Sequence, residues 1–163
     1  AQNLATLAEL RQRLSTPQKL ASLAQTTGIS EEYLTILKRE SGSLEQKPIL
    51  LSAFPGIEPH VVAQWSAKGY TNSREVFERG DQTDELFSLC DLARINGVGA
   101  VAARAFYEAG FSSVQDVAKA KATDMLRRVS AINAEKQYYK ASLGEKDMQF
   151  CIDCARLLVA YAK

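Results

Sequence analysis

Histidine and tryptophan occur once each in this chain, and cysteine only three times. An odd, small number of cysteines does not make a disulfide framework, so a reducing cytoplasm is the expected compartment. Charge of either sign is also short of an excess: 20 Lys and Arg stand against 19 Asp and Glu, a formal net charge of +1. A protein that neutralises phosphate wholesale is far more basic, so any nucleic-acid role must rest on local charge or on backbone donors. No apolar run has the length of a membrane span, and no membrane partner is expected. The opening AQNLATLAELRQRL lacks the basic-then-apolar layout of a signal peptide and reads as an amphipathic helix. Strand-like alternation is nearly absent.

What is present is helical spacing along almost the whole chain, with 46% apolar residues to build a core. Leu4, Leu7, Leu10 and Leu14 form one stripe. Thr16 before Pro17 supplies a cap and a proline at the first helical position. That second helix carries Leu20, Leu23 and Ala24 and stops at Gly28. Ser30 caps a third, predicted to turn Tyr33, Leu34 and Leu37 inward and to close at Gly42. SGSLEQKP then reads as a connection. The expected organisation is an N-terminal helical segment over 1–44 and a second region over 45–163.

The second region contains an internal repeat. FPGIEPHVVAQWSAKGYTNSREVF (54–77) lies over INGVGAVAARAFYEAGFSSVQDVA (95–118), an offset of 41 residues. Gly56 matches Gly97 and Gly69 matches Gly110. Phe54 pairs with Ile95, Ile57 with Val98, Trp65 with Phe106, Tyr70 with Phe111, and Val76 with Val117. A period in this range marks a duplicated supersecondary unit that buries its apolar face against its neighbour. In each copy a short helix leads into a glycine turn, and a helix of about ten residues follows. Gly69 or Gly110 ends that helix, and the aromatic after it plugs into the core. Thr71 or Ser112 is expected to cap the next one, with Ser112 and Gln115 at capping-box spacing. Beyond the second copy, Asp124 to Val129 reads as a short helix and INAEKQYYKASLGEKD as irregular or only partly helical. A last amphipathic helix, about Lys146 to Ala162, carries Phe150, Cys151, Cys154, Leu157, Leu158 and Tyr161 on one face.

LARINGVGAVAARAFYEAGF resembles the helix-hairpin-helix family, whose hairpin reads apolar–x–Gly–apolar–Gly–x–x–x–Ala; the matching positions are Ile95, Gly97, Val98, Gly99 and Ala103. The TP-started helix, "LAQTTGIS" and the tandem hairpins together are similar to the proteins grouped as domain of unknown function 4332. The fold expected is therefore all-α, with tandem helix-hairpin-helix units near 54–70 and 95–111 related by a pseudo-two-fold. The resemblance implies that turn N–H groups hold a phosphate oxygen. Physical chemistry supports the same idea, because successive amides in a tight turn make an anion-binding concavity and the following helix adds its N-terminal partial charge. The first copy has Glu58 where the second has Gly99, then Pro59. A carboxylate there would repel phosphate, so the first turn reads as structural.

Candidate nucleic-acid contacts are then Gly97, Val98, Gly99, Ala100 and Arg104, with Arg127 and Arg128 from the basic stretch that follows. Residues 119–146 hold seven basic side chains against three acidic, while 74–91 hold two against six. Tyr138 and Tyr139 in the basic stretch are candidates to stack on bases. Cys151 and Cys154 form a CxxC, but only Cys90 and His60 remain as further ligands, both remote in sequence. The pair reads as core, and no metal or cofactor is expected. His60 aligns with Val101 and reads as a helix-start residue. Helix-hairpin-helix glycosylases place a catalytic Asp some twenty residues past the hairpin, and Asp116 stands there; yet it aligns with Glu75 inside a capped helix. The expectation is a non-enzymatic, sequence-independent DNA-binding protein, without a small-molecule substrate. The alternative is a protein-docking scaffold in which the hairpins are purely structural.

Overall fold

The computed structural model describes residues 4–43, 46–79, 84–140 and 142–161. The chain divides into two compact units, Ala1–Glu45 and Gln46–Lys163. Among the described residues all regular structure is helical.

The first unit is three helices: α1 (Leu7–Arg13), α2 (Pro17–Thr27) and α3 (Glu31–Ser43). Thr16 caps α2 by accepting from the Lys19 amide, with Pro17 in the first turn, and Gly28 ends it in the left-handed conformation at φ 71°. Ser30 Oγ accepts from the Tyr33 amide at the start of α3. Leu14, Leu20, Leu23 and Leu34 form the core. Two expectations are corrected here. Tyr33 is 56% exposed, because the buried stripe of α3 runs through Leu34 and Leu37. Gly42 does not stop the helix, which continues through it to Ser43.

The second unit opens with a 3-10 turn, Leu51–Ala53, followed by α4 (Pro59–Ala67), α5 (Ser73–Arg79), α6 (Glu85–Leu92), α7 (Ala100–Glu108), α8 (Val114–Lys119), α9 (Ala122–Lys136) and α10 (Glu145–Tyr161). The two copies of the repeat have matching local geometry. Helices α4 and α7 have nine residues each, displaced by the repeat offset. Gly56, Gly69, Gly97 and Gly110 all have positive φ, between 76° and 88°. Tyr70 N–H returns to Trp65 O at 3.0 Å, as Phe111 N–H does to Phe106 O at 2.9 Å. Trp65 and Phe106 are both buried, and truncating either to alanine would cost about 3–5 kcal/mol.

The cap of the following helix sits one residue later than the spacing suggested. Asn72 Oδ1 accepts from the Arg74 and Glu75 amides, and Ser113 Oγ accepts from the Asp116 amide. Thr71 and Ser112 instead donate, by amide and hydroxyl, to the carboxylates of Glu75 and Asp116. Each carboxylate thus ties back the residue before the cap, a reciprocal arrangement that satisfies orphan donors at the helix start. The copies differ in what precedes the turn, a single 3-10 turn in the first and the eight-residue α6 in the second.

Helix α9 (Ala122–Lys136) is longer than the predicted Asp124–Val129, and the stretch after it is partly helical, with 137–140 and 142–144 outside the helices among the described residues. Helix α10 packs against α8 and α9. Its buried face is Met148, Cys151, Ile152 and Ala155. Phe150, Leu157 and Tyr161, expected on the core side, are 51%, 59% and 81% exposed. Ala162 lies outside the described residues.

Candidate nucleic-acid interface

The second turn is anchored from below. Ile95 and Val98 are fully buried, and the Val98 amide donates to Ile95 O at 3.0 Å. Gln46 Nε2 donates to the same Ile95 carbonyl at 2.7 Å. Between these anchors Gly97 is exposed at φ 84°, a conformation that costs an L-residue roughly 1–2 kcal/mol. Gly99 differs. It has φ −85° and ψ −177°, open to any residue, and no atom stands within 4 Å of where its Cβ would be. It is the N-cap of α7 yet brings no side-chain cap. Among the described residues, the amides of Gly99, Ala100, Val101 and Ala102 find no protein acceptor.

The first turn offers fewer donors. Pro59 has no N–H, and the Val61 amide, the counterpart of the free Ala102 amide, is already bonded to Glu58 O at 2.9 Å. Glu58 itself is exposed at the N-cap.

Of the expected contacts, Gly97 and Gly99 lie exposed in the turn and Ala100 is half-buried at the start of α7. Val98 points inward, so only its backbone is at the surface side of the turn. Arg104 requires a correction. It is 4% exposed: Nε donates to Pro55 O at 2.6 Å, one terminal nitrogen pairs with Glu85, and the other is buried without a partner. It lies against Gly56, binding the second copy to the first turn, and is not available to a phosphate.

Arg127 and Arg128 are not brought to the turn. Arg128 lies over the Phe111 ring at 4.2 Å and against Gly110, at the far end of α7. Nine helical residues place that end about 13 Å from Gly99. There Arg128, Lys119 and Lys121 line a cavity of ≈ 430 Å³ together with Asp116 and Asp124. Arg127 is exposed and pairs with Asp124 at 2.5 Å.

Tyr138 and Tyr139 are half-buried and pack on the core. The Tyr138 hydroxyl donates to Glu108 at 2.8 Å, and burial pushes the Tyr139 hydroxyl well above its ordinary range. Cys151 faces the core and Cys154 is half-exposed. Burial, then the neighbouring Cys154 and Asp147, pushes the Cys151 thiol up to about 11. Among the described residues no group of three or more His, Cys, Asp or Glu is placed to hold a metal ion. His60 is exposed in the first turn of α4. Asp116 is occupied by Ser112 and Ser113. Its partial burial raises its pKa, but the four hydrogen bonds from those serines outweigh that and hold it below the usual carboxylate range.

One residue beside the turn escaped the sequence reading. The ring of Phe150 lies 3.3 Å from the point where Gly97 would carry a Cβ. The only signal was an aromatic on an apolar helix, indistinguishable from core.

Residues 87–163 match the family model described as Domain of unknown function (DUF7898). The match takes in the second turn and everything after it. No curated protein and no solved structure matches the chain.

Proposed function

We propose that the protein is a non-enzymatic module that holds the phosphate backbone of DNA through its second turn, without reading sequence. The observation that carries this reading is the run of amides from Gly99 to Ala102, without acceptors among the described residues, beside an exposed Gly99 with nothing within 4 Å of where its Cβ would stand. Such a run, aligned with the start of a nine-residue helix, attracts an oxyanion by hydrogen bonding and by the helix dipole. The likeness of residues 95–103 to a helix-hairpin-helix hairpin points the same way. Backbone donors carry no base information, so contacts of this kind position a protein on nucleic acid rather than select a site. A near-neutral chain then binds weakly, through few phosphates. No helix of the described residues is long and apolar enough to cross a membrane, and we place the protein in the reducing cytoplasm.

A second reading is favoured by a different observation. Phe150, Leu157 and Tyr161 recur at helical spacing on the side of α10 away from its core. Helices apolar on both sides are usually covered on both. In this reading a partner protein docks there and the turns are scaffolding.

A titration with labelled DNA at two salt concentrations separates them. Each phosphate neutralised by a Lys or Arg lowers log K with log[salt] at a slope of about −0.9 on duplex; the turn itself offers uncharged amides, so a shallow slope, no steeper than about −1, is expected here. Absence of DNA binding even at low salt leaves the docking reading.

A further inference from the structure

We infer that Phe150 gives the second turn a preference for single-stranded over duplex DNA, by stacking on a base next to the held phosphate. The inference rests on the phosphate-holding reading of that turn and adds the class of nucleic acid to it.

Phe150 belongs to α10, but its side chain is not part of the face that α10 buries, which is Met148, Cys151, Ile152 and Ala155. It is 51% exposed, with one edge of the ring 3.3 Å from the point where Gly97 would carry a Cβ. Glycine at that position leaves the ring in place, since a Cβ 3.3 Å away would displace it by a few tenths of an ångström. The ring is thus fixed at one side and open on the other, next to the turn that precedes the unbonded amides of α7. Val101, in the first turn of α7, is also exposed at 37%. Lys146 is exposed one helical turn before Phe150 and shares its side of α10.

In a duplex the phosphates face outward and the bases are stacked inside, so a ring beside a bound phosphate meets only sugar and water. In a single strand the base next to that phosphate is free to turn onto the ring, and aromatic stacking accepts any base. The arrangement of phosphate donors, an open aromatic face and a nearby cation therefore suits an unpaired strand. Removing a stacking aromatic lowers affinity about 5- to 150-fold per base.

The test uses the full chain with fluorescein-labelled oligothymidylate and a mixed-sequence duplex of equal length. The parent is expected to bind the single strand at least about tenfold tighter, within the range that stacking supplies. Phe150→Ala should remove most of that gap and leave duplex affinity nearly unchanged. Phe150→Trp should keep the gap, and its emission should be quenched by oligothymidylate but not by duplex. Gly99→Glu should weaken both forms. Equal parent affinity for the two forms, or equal losses on Phe150→Ala, would overturn the stacking role even where Gly99→Glu weakens both. No binding to either form at low salt would overturn the turn reading, and the stacking role with it.

Discussion

The guanidinium of Arg104 lies 3.3 Å from the point where Gly56 would carry a side chain, so a cation from the second copy of the repeat fills the space behind the first turn. Gly56 is held at φ 76° with that group against it. The counterpart of Arg104 in the first copy is Ala63, so the brace runs one way only.

Arg104→Ala should cost about 2–4 kcal/mol of unfolding free energy. It removes a buried stem, an ion pair and the donor to Pro55 O, while Glu85, 44% exposed on its side chain, regains water. Arg104→Met keeps the stem and removes the unpartnered nitrogen, so it should cost clearly less. Gly56→Ala should cost more than Gly69→Ala, since both have positive φ but only Gly56 has a neighbour in the way. In the Arg104→Ala background that excess should vanish. Urea denaturation measures all five variants, and an Arg104→Ala protein as stable as the parent would refute the brace.

Asp116 provides a pH-dependent contribution. Its folded pKa lies below the unfolded value, so the stability it adds is fully present above about pH 4 and is lost as pH falls through the folded value. Asp116→Asn should therefore be less stable than the parent at neutral pH, and the difference should shrink in acid. A stability difference that is constant from pH 7 to pH 2 would contradict this.

The thiols should react in sequence. Burial, with Asp84 and Asp91 nearby, pushes Cys90 up to about 12, and Cys151 is raised to about 11. Cys154 is raised less and is half-exposed. With an aromatic disulfide reagent at pH 8, native protein should release one equivalent quickly and the remaining two only in denaturant. Rapid release of more than one equivalent would show that α10 does not pack as described.

The repeat was legible because matched glycines and matched large apolar residues, Trp65 with Phe106 and Phe54 with Ile95, constrain each other at one offset. The caps were legible only to within one residue, since Thr71–Asn72 and Ser112–Ser113 each offer two adjacent cap-type side chains. Arg104 looked like the first cation beyond a phosphate turn. Its burial depends on Glu85 and Pro55, 19 and 49 residues away, which helical spacing does not reveal. Phe150 was misplaced for a related reason. Helix α10 is apolar on two sides, and periodicity alone does not say which one meets α8 and α9.

The central claim, that the second turn holds phosphate, is tested most directly by Gly99→Glu against labelled DNA at low and moderate salt. Gly99 has ordinary φ and empty space where a Cβ would stand, so the variant should fold as the parent does, at a cost of about 1 kcal/mol or less for a poorer N-cap. The added carboxylate would stand where phosphate binds and reproduces the residue of the first turn. Affinity should fall at least about fivefold, the loss of one charge-assisted contact. The converse change, Glu58→Gly, should leave binding intact or strengthen it. A folded Gly99→Glu protein that binds DNA as tightly as the parent, with the same salt slope, would contradict the account.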